Sequence, residues 1–355
     1  MTTRSLLPLA ALALALPLAC RTAAPSADAR DGGPPRFETT ASGGRWFKGN
    51  SHTHTILTDG DAPPDTVIGW YRAHGYQWLV ISDHDTLVTP STFAHRQDST
   101  FLLVPGNEVT GQYYRTPQSS VVPIHVTAMN VERVARRRRD STVLATLQTN
   151  VDAVREAGGV PHVNHPNFGW ALGTEELWRV ERVALFELRN GHPLVNNLGG
   201  GGSPGTEEMW DTLLTRGKRL YGMGTDDAHH YIGEFAPPRA NPGRAWTVIR
   251  APRLEAGALM RALEAGDFYA STGVVLDDVV VTPTTMTVHI RPKGSARFRT
   301  RFIGTGGRVL GESVDTAATF TLSGATRFAP GTRYVRAVVQ ESNGPQAWVQ
   351  PVFVR

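Results

Sequence analysis

The sequence predicts an α/β fold: a β/α barrel followed by a small antiparallel β-sandwich. Short apolar runs of strand length recur between residues 78 and 224. They alternate with helical patterns, as in a parallel sheet. His, Asp and Glu residues cluster at the ends of these runs, where a parallel barrel gathers its strand termini into one mouth. Beyond Gly273 the helical patterns cease and period-two alternation replaces them.

The chain of 355 residues is long enough for two domains. Its 40% hydrophobic and 19% charged content excludes general disorder. With 36 Gly and 24 Pro it reads as loop-rich rather than as a helical bundle. A single cysteine excludes an internal disulfide and a cysteine-based zinc site. The formal charge of +4 suits a small anionic substrate and falls well short of a histone-like balance.

Taken in order, residues 1–20 place Arg4 before an apolar stretch, 6–19, with the proportions of a signal peptide. That stretch is short for a membrane span. Cys20 follows Pro17-Leu18-Ala19, where a bacterial lipoprotein signal carries its lipidated residue. Export is therefore expected, as a periplasmic or cell-surface lipoprotein anchored to the membrane at Cys20. The alternative is simple secretion after cleavage near Ala24 or Ala29. Residues 21–36 read as a tether, and no later segment is apolar enough to span a bilayer.

The barrel is expected over residues 37–272, with strands at 78–82, 101–105, 123–128, 159–163, 184–188 and 220–224. Helices are expected at 64–74, opened by Pro64-Asp65, and at 141–157, with Val143, Leu147, Val151 and Val154 on one face. Two more run over 206–214 and over 254–265, the last stopped by Gly266. In 273–355, Met286, Val288 and Ile290 alternate with Thr287 and His289, and 297–302 and 334–340 behave alike. This is the expected sandwich, and it offers no cluster of ligand-type residues.

The chemistry begins at Gly49-Asn50-Ser51-His52-Thr53-His54. Two histidines at i and i+2 of an extended chain point the same way and can grip one ion. Asp59-Gly60 follows, then Ser82-Asp83-His84-Asp85, Pro105-Gly106-Asn107-Glu108, His125, His165-Pro166 and Asp226-Asp227-Ala228-His229. From the residues alone, Asp226 competes with Asp227, and His162 with His165.

In this order the motifs resemble the PHP (polymerase and histidinol phosphatase) family of metal-dependent phosphoesterases, over roughly residues 48–229. Trp46-Phe47-Lys48-Gly49-Asn50, Phe268-Tyr269-Ala270-Ser271-Thr272-Gly273 and Ala347-Trp348 resemble the exported, carbaryl-hydrolase-like subgroup. The resemblance implies a distorted seven-stranded β/α barrel with two to three divalent ions. His52, His54, Glu108 and Asp227 would bind the first. A shared Glu108 with His125 and His165 would bind the second, and Asp59, His84 and His229 the third. The family's D-x-H spacing selects Asp227, and its His-Pro pair selects His165. Mixed imidazole and carboxylate ligands suit zinc, manganese or iron rather than calcium.

The implied activity is phosphoester hydrolysis, of phosphatase or phosphodiesterase and exonuclease type, on nucleotides or nucleic-acid fragments. Ions sharing Glu108 would acidify a water, so no serine or cysteine nucleophile is needed. Glu108, Asp227 and His229 are the residues expected to carry catalysis. The alternatives are a carbamate or amide hydrolase on the same centre, and an inactive barrel serving as a surface binding protein. Arg189 or His192 would touch a substrate anion, against the simpler expectation of a Glu187–Arg189 ion pair. The arginine run 136–139 reads as a solvated face.

Overall fold

A computed structural model describes Met1 and residues 36–38, 43–116, 119–322 and 332–355. The expected signal peptide beyond Met1, including Cys20, and all of the tether except Arg36 lie outside these residues. Among the described residues no helix is long and apolar enough to cross a membrane. The strands are β1 (Arg45–Asn50), β2 (Trp78–Leu79), β3 (Leu102–Leu103), β4 (Gly106–Tyr114), β5 (Val121–Met129), β6 (Val160–Val163), β7 (Leu185–Asn190) and β8 (Tyr221–Thr225). They continue as β9 (Trp246–Ala251), β10 (Phe268–Ser271), β11 (Leu276–Val281), β12 (Thr285–Ile290), β13 (Phe298–Gly304), β14 (Arg308–Ser313), β15 (Ala317–Thr321), β16 (Tyr334–Glu341) and β17 (Gln346–Phe353). The helices are α1 (Pro64–Ala73), α2 (Val143–Glu156), α3 (Thr174–Arg179), α4 (Thr206–Thr215) and α5 (Ala256–Ala265).

The helix signals act as their chemistry dictates. Pro64 opens α1, where a missing N–H costs nothing. Thr142 caps α2 by accepting from the Ala145 N–H at 3.0 Å, a contact worth about 1 kcal/mol. Gly266 ends α5 at φ +79°, which a side chain would resist. The apolar face of α2, including Leu147, Val151 and Val154, is fully buried in the main core.

The sheets do not close into the expected ring. β1, β2 and β3 are parallel neighbours at one end of a nine-stranded sheet, whose order is β14-β13-β16-β17-β10-β9-β1-β2-β3. A second sheet runs β4-β5-β6-β7-β8, and only β6, β7 and β8 in it are parallel. The two sheets meet through isolated bridges, Thr53 to Ala228 and His84 to Glu108. The departure has a local cause. β4 and β5 form a long antiparallel hairpin, pairing Gly106 with Met129 through Tyr114 with Val121, where the sequence suggested separate parallel strands. Glu108 therefore lies within a strand instead of after one.

The C-terminal strands join the same nine-stranded sheet, because β17 pairs with β10 through Tyr269–Val349, Ala270–Trp348 and Ser271–Ala347. The three-stranded sheet β11-β12-β15 shares a core with this region: Met286, Val288 and Ile290 lie with Phe302, Val335, Ala337 and Val349. Arg336 on β16 is fully buried and reaches α4, where Asp211 accepts from its Nε at 2.7 Å and its Nη2 at 2.6 Å. Gln350 exchanges two hydrogen bonds with Gly222 of β8, at 2.9 and 2.8 Å.

Candidate metal centre

All nine side chains singled out as ligands converge where the two sheets meet. The chain leaving β1 carries His52 and His54, both fully buried. Its course is set by Asn50, whose Oδ1 accepts from the His52 N–H at 3.0 Å. Next to it, the chain leaving β8 carries Asp227 and His229, tied by the His54 N–H to the Ala228 carbonyl at 2.9 Å. His84 follows β2, Glu108 and His125 sit on the β4–β5 hairpin, and His165 follows β6.

Glu108 is the centre of the arrangement. Its carboxylate is buried and lies within 3.7 Å of five imidazoles. The separations are 3.3 Å to His52, 3.7 Å to His54, 2.7 Å to His84, 3.0 Å to His125 and 3.4 Å to His165. Asp227 Oδ1 stands 3.3 Å from both His52 Nε2 and His54 Nε2. Asp59, half exposed at the rim, is 3.1 Å from His84 Nε2, 3.4 Å from His54 Nδ1 and 3.4 Å from His229 Nε2.

Four groups have ligand atoms close enough to share an ion: His52–His54–Asp227, His52–Glu108–His165, His84–Glu108–His125 and His54–Asp59–His84–His229. The partition is more interleaved than the three sets expected from the sequence. His54 also belongs to the rim group, and His84 also faces Glu108.

The donor set fits divalent cations. His52 Nε2 and both ring nitrogens of His54 are buried without a hydrogen-bond partner, although they face carboxylate oxygens. An unpaired buried polar atom costs about 1–3 kcal/mol, and several pointing at one locus need a common partner. Zinc, manganese and iron accept this mixture of imidazole and carboxylate. Two of the candidate ligands also have left-handed backbones, His165 at φ +21° and Asp227 at φ +49°. Such conformations in residues other than glycine cost about 1–3 kcal/mol each and concentrate at functional sites.

Burial alone would raise the Glu108 carboxyl, but His125 and His52 hold it well below the usual carboxylate range. The same opposition operates at Asp227, which burial raises and the charge of His52 lowers further. His162 is buried outside every ligand group, and burial pulls it down to about 4.

Asp226 is occupied elsewhere. Its Oδ1 accepts from the Arg244 and Ala245 N–H groups at 2.6 and 3.0 Å. Its Oδ2 accepts from the Gly243 N–H at 2.9 Å and the Tyr71 hydroxyl at 3.0 Å. It thus shapes the 243–245 segment, while Asp227 faces the histidines.

Glu187 has a role the sequence reading missed. It makes no pair with Arg189. Its Oε1 accepts from His52 Nδ1 at 2.6 Å and Thr225 Oγ1 at 2.7 Å. Its Oε2 accepts from the His165 N–H at 2.6 Å and Asn190 Nδ2 at 2.8 Å. A proton held on His52 Nδ1 leaves Nε2 as a lone pair aimed at the site. Asn164 and Asn190 likewise orient Glu108 and Asp227, at 2.6 and 3.1 Å. The available signal was an acid inside the apolar run Leu185-Phe186-Glu187-Leu188, which demands buried partners.

Arg189 and His192 border a cavity of about 510 Å³ beside the centre, together with Arg244. The His192 ring lies edge-on to His229, with centroids 5.3 Å apart. The arginine run is partly paired, Arg138 with Glu156 and Arg137 with Asp85.

No protein-family model matches the sequence, and no curated protein matches it. Solved structures of low identity align with it. A two-domain protein from Bacteroides vulgatus containing a predicted PHP-like metal-dependent phosphoesterase is 13% identical, over 88% of this chain and 98% of that one, with a TM-score of 0.48. An amidohydrolase from Chromobacterium violaceum is also 13% identical, over 54% of this chain and 93% of that one, at 0.36. A lesion-specific endonuclease from Pyrococcus furiosus is 12% identical, over 62% of this chain and 56% of that one, at 0.39.

Proposed function

We propose that the chain is a metal-dependent hydrolase of phosphoester bonds, using two to three zinc, manganese or iron ions. The observation that carries this reading is Glu108, one buried carboxylate surrounded by five imidazoles, with Asp227 and Asp59 completing the ring. Such ions, when bound, supply a water acidified to near neutral pH and positive charge for the nonbridging oxygens of a phosphoester. Every other task falls to the chain. Glu108 would bridge ions, with Asn164 fixing one of its oxygens. His52 would ligate through Nε2 because Glu187 holds its opposite nitrogen. His125, His165 and Asp227 would complete the floor, which is closed to solvent except at the rim. There Asp59, His84 and His229 form the exposed edge over which a substrate enters.

A small anionic substrate suits the centre, with nucleotides and short nucleic-acid fragments the first class to examine. Export with lipidation at Cys20 is part of the same reading. The test is elemental analysis of the purified chain, then turnover on phosphomonoesters, phosphodiesters and carbamates. Two to three equivalents of metal and phosphoester turnover are expected. Less than one equivalent after metal supplementation, or turnover of carbamates alone, overturns it.

A further inference from the structure

The cavity beside the metal centre is lined by Arg189 and Arg244 and, among the described residues, by no acid. Arg189 is half-buried on β7, and its side chain makes no hydrogen bond or ion pair among the described residues. Burial draws its guanidinium below the ordinary arginine value, and no carboxylate opposes that shift. Arg244, which lines the same cavity, donates to the Gly191 carbonyl at 3.3 Å and the Ala236 carbonyl at 2.7 Å. Neither arginine is in ion-pair contact with an acid, and no Asp or Glu lines the cavity. The wall is built for this approach, since a Cβ at Gly191 would meet Arg244 Cβ at 2.9 Å.

Two guanidinium groups drawn from bulk water onto one concavity repel each other and lose hydration. An anion answers both costs, and arginine forks match phosphate and carboxylate oxygens two at a time. The cavity also has a defined relation to the proposed chemistry. His192 stands between it and the centre, with its ring edge-on to His229. The Leu194 N–H donates to His192 Nδ1 at 3.2 Å, leaving Nε2–H as a further donor. An anion seated here therefore lies about an imidazole's width from the ligand cluster.

We infer that this cavity binds a second anionic group of the substrate, a phosphate or carboxylate separate from the bond that is cleaved. The inference rests on the proposed phosphoesterase reading and narrows its substrate class to molecules with two anionic ends. Arg189 is the specificity determinant, and Arg244 shares the lining.

The test uses the full, metal-loaded chain and the variants Arg189→Met and Arg189→Lys. Titration calorimetry with inorganic phosphate should show one more binding event in the wild type than in Arg189→Met, with equal metal content in both. Arg189→Lys should keep a weakened form of that event. In steady-state kinetics, glucose 1,6-bisphosphate should exceed glucose 6-phosphate in kcat/KM by at least tenfold, through KM. Arg189→Met should reduce that ratio to about one. Phosphate binding and substrate ratio that are both unchanged in folded Arg189→Met overturn the inference. If no phosphoester is cleaved while the extra phosphate event still vanishes with Arg189, the anion site stands and the phosphoesterase reading fails. Restoration of binding but not of substrate preference in Arg189→Lys supports a site that needs the guanidinium fork.

Discussion

Replacing Glu187 with glutamine isolates the positioning of His52 from the presence of His52. The glutamate accepts four hydrogen bonds, two on each oxygen, from His52, Thr225, His165 and Asn190. Glutamine keeps one oxygen and turns an NH2 toward the other pair. Facing the His165 N–H and Asn190 it loses two contacts, and facing His52 and Thr225 it loses the His52 contact, since the threonine hydroxyl can turn to accept. If the NH2 faces His52 Nδ1–H, the imidazole must change tautomer or tilt, and Nε2 no longer presents its lone pair. Loss of such a carboxylate partner weakens metal affinity about 10–100-fold. That range corresponds to roughly 1.4–2.8 kcal/mol. The measurement is zinc affinity by chelator competition, with circular dichroism to confirm the fold and thermal melts with and without metal. The expected pattern is a weakened metal affinity with a larger melting deficit in the metal-loaded protein than in the stripped one. Wild-type affinity within threefold, in a folded Glu187→Gln variant, would refute the claim that Glu187 sets the donor atom of His52.

Other expectations follow from the same contacts. Glu108→Ala removes the proposed bridge and should abolish turnover in a folded protein. His289→Ala, on an outer face of β12, should change nothing, and substantial activity in Glu108→Ala refutes the bridging role. At Glu38, hydrogen bonds from Arg219 and then Arg355 outweigh burial and lower the carboxyl to about 2. Its folded value is depressed, so its stabilisation is present above the unfolded value of about 4.5 and is lost as pH falls toward 2. Glu38→Gln should accordingly melt earlier at pH 7, by an amount set by about 0.2–1 kcal/mol, with the deficit much reduced at pH 2; an equal deficit at both pH values contradicts this. Cys20→Ser should release the protein from membranes, and a mature start beyond Ala24 without an acyl group excludes lipidation. A chain ending at residue 272 strips β17 from β10 and removes Gln350 from Gly222, so it should lose cooperative melting. A sharp thermal transition in that truncation contradicts the dependence.

Four of the five α-helices among the described residues, all but α3, and about half of the strands were legible because their signals are local. Pro64, Gly158 and Gly266 punctuate periodic runs, and such punctuation acts within a few residues. Sheet topology was less legible, because pairing depends on partners distant in sequence. Residues 106–114 carry Gly, Asn, Glu and Gln among their apolar positions, and that composition reads as a polar loop. They form a strand because the hairpin with β5 satisfies their backbone, while Asn107 and Glu108 find buried partners in Ala135, His125 and Asn164. The joining of β17 to β10 had no sequence signature either, since alternation reports that a strand has an inner face and not which edge it joins.

The ligand-type residues were conspicuous for a different reason: His, Asp and Glu at strand ends are costly to bury and therefore rare without a task. What composition hides is the division of labour among them. Asp226 and Asp227 are chemically identical neighbours, and only the turn to φ +49° at Asp227 separates the one that holds backbone from the one that faces histidines. Glu187 and Arg189 sit two apart on one strand and invite an ion pair. A register shift in the β7–β8 pairing falls between them, and the acid turns inward to His52. This leaves Arg189 free in the cavity. The same irregularity thus accounts for two features, an acid that orients a proposed ligand and a guanidinium left without a partner. Restoring the pair would quench both, so the separation of Glu187 from Arg189 is what links the candidate metal centre to the proposed anion cavity beside it.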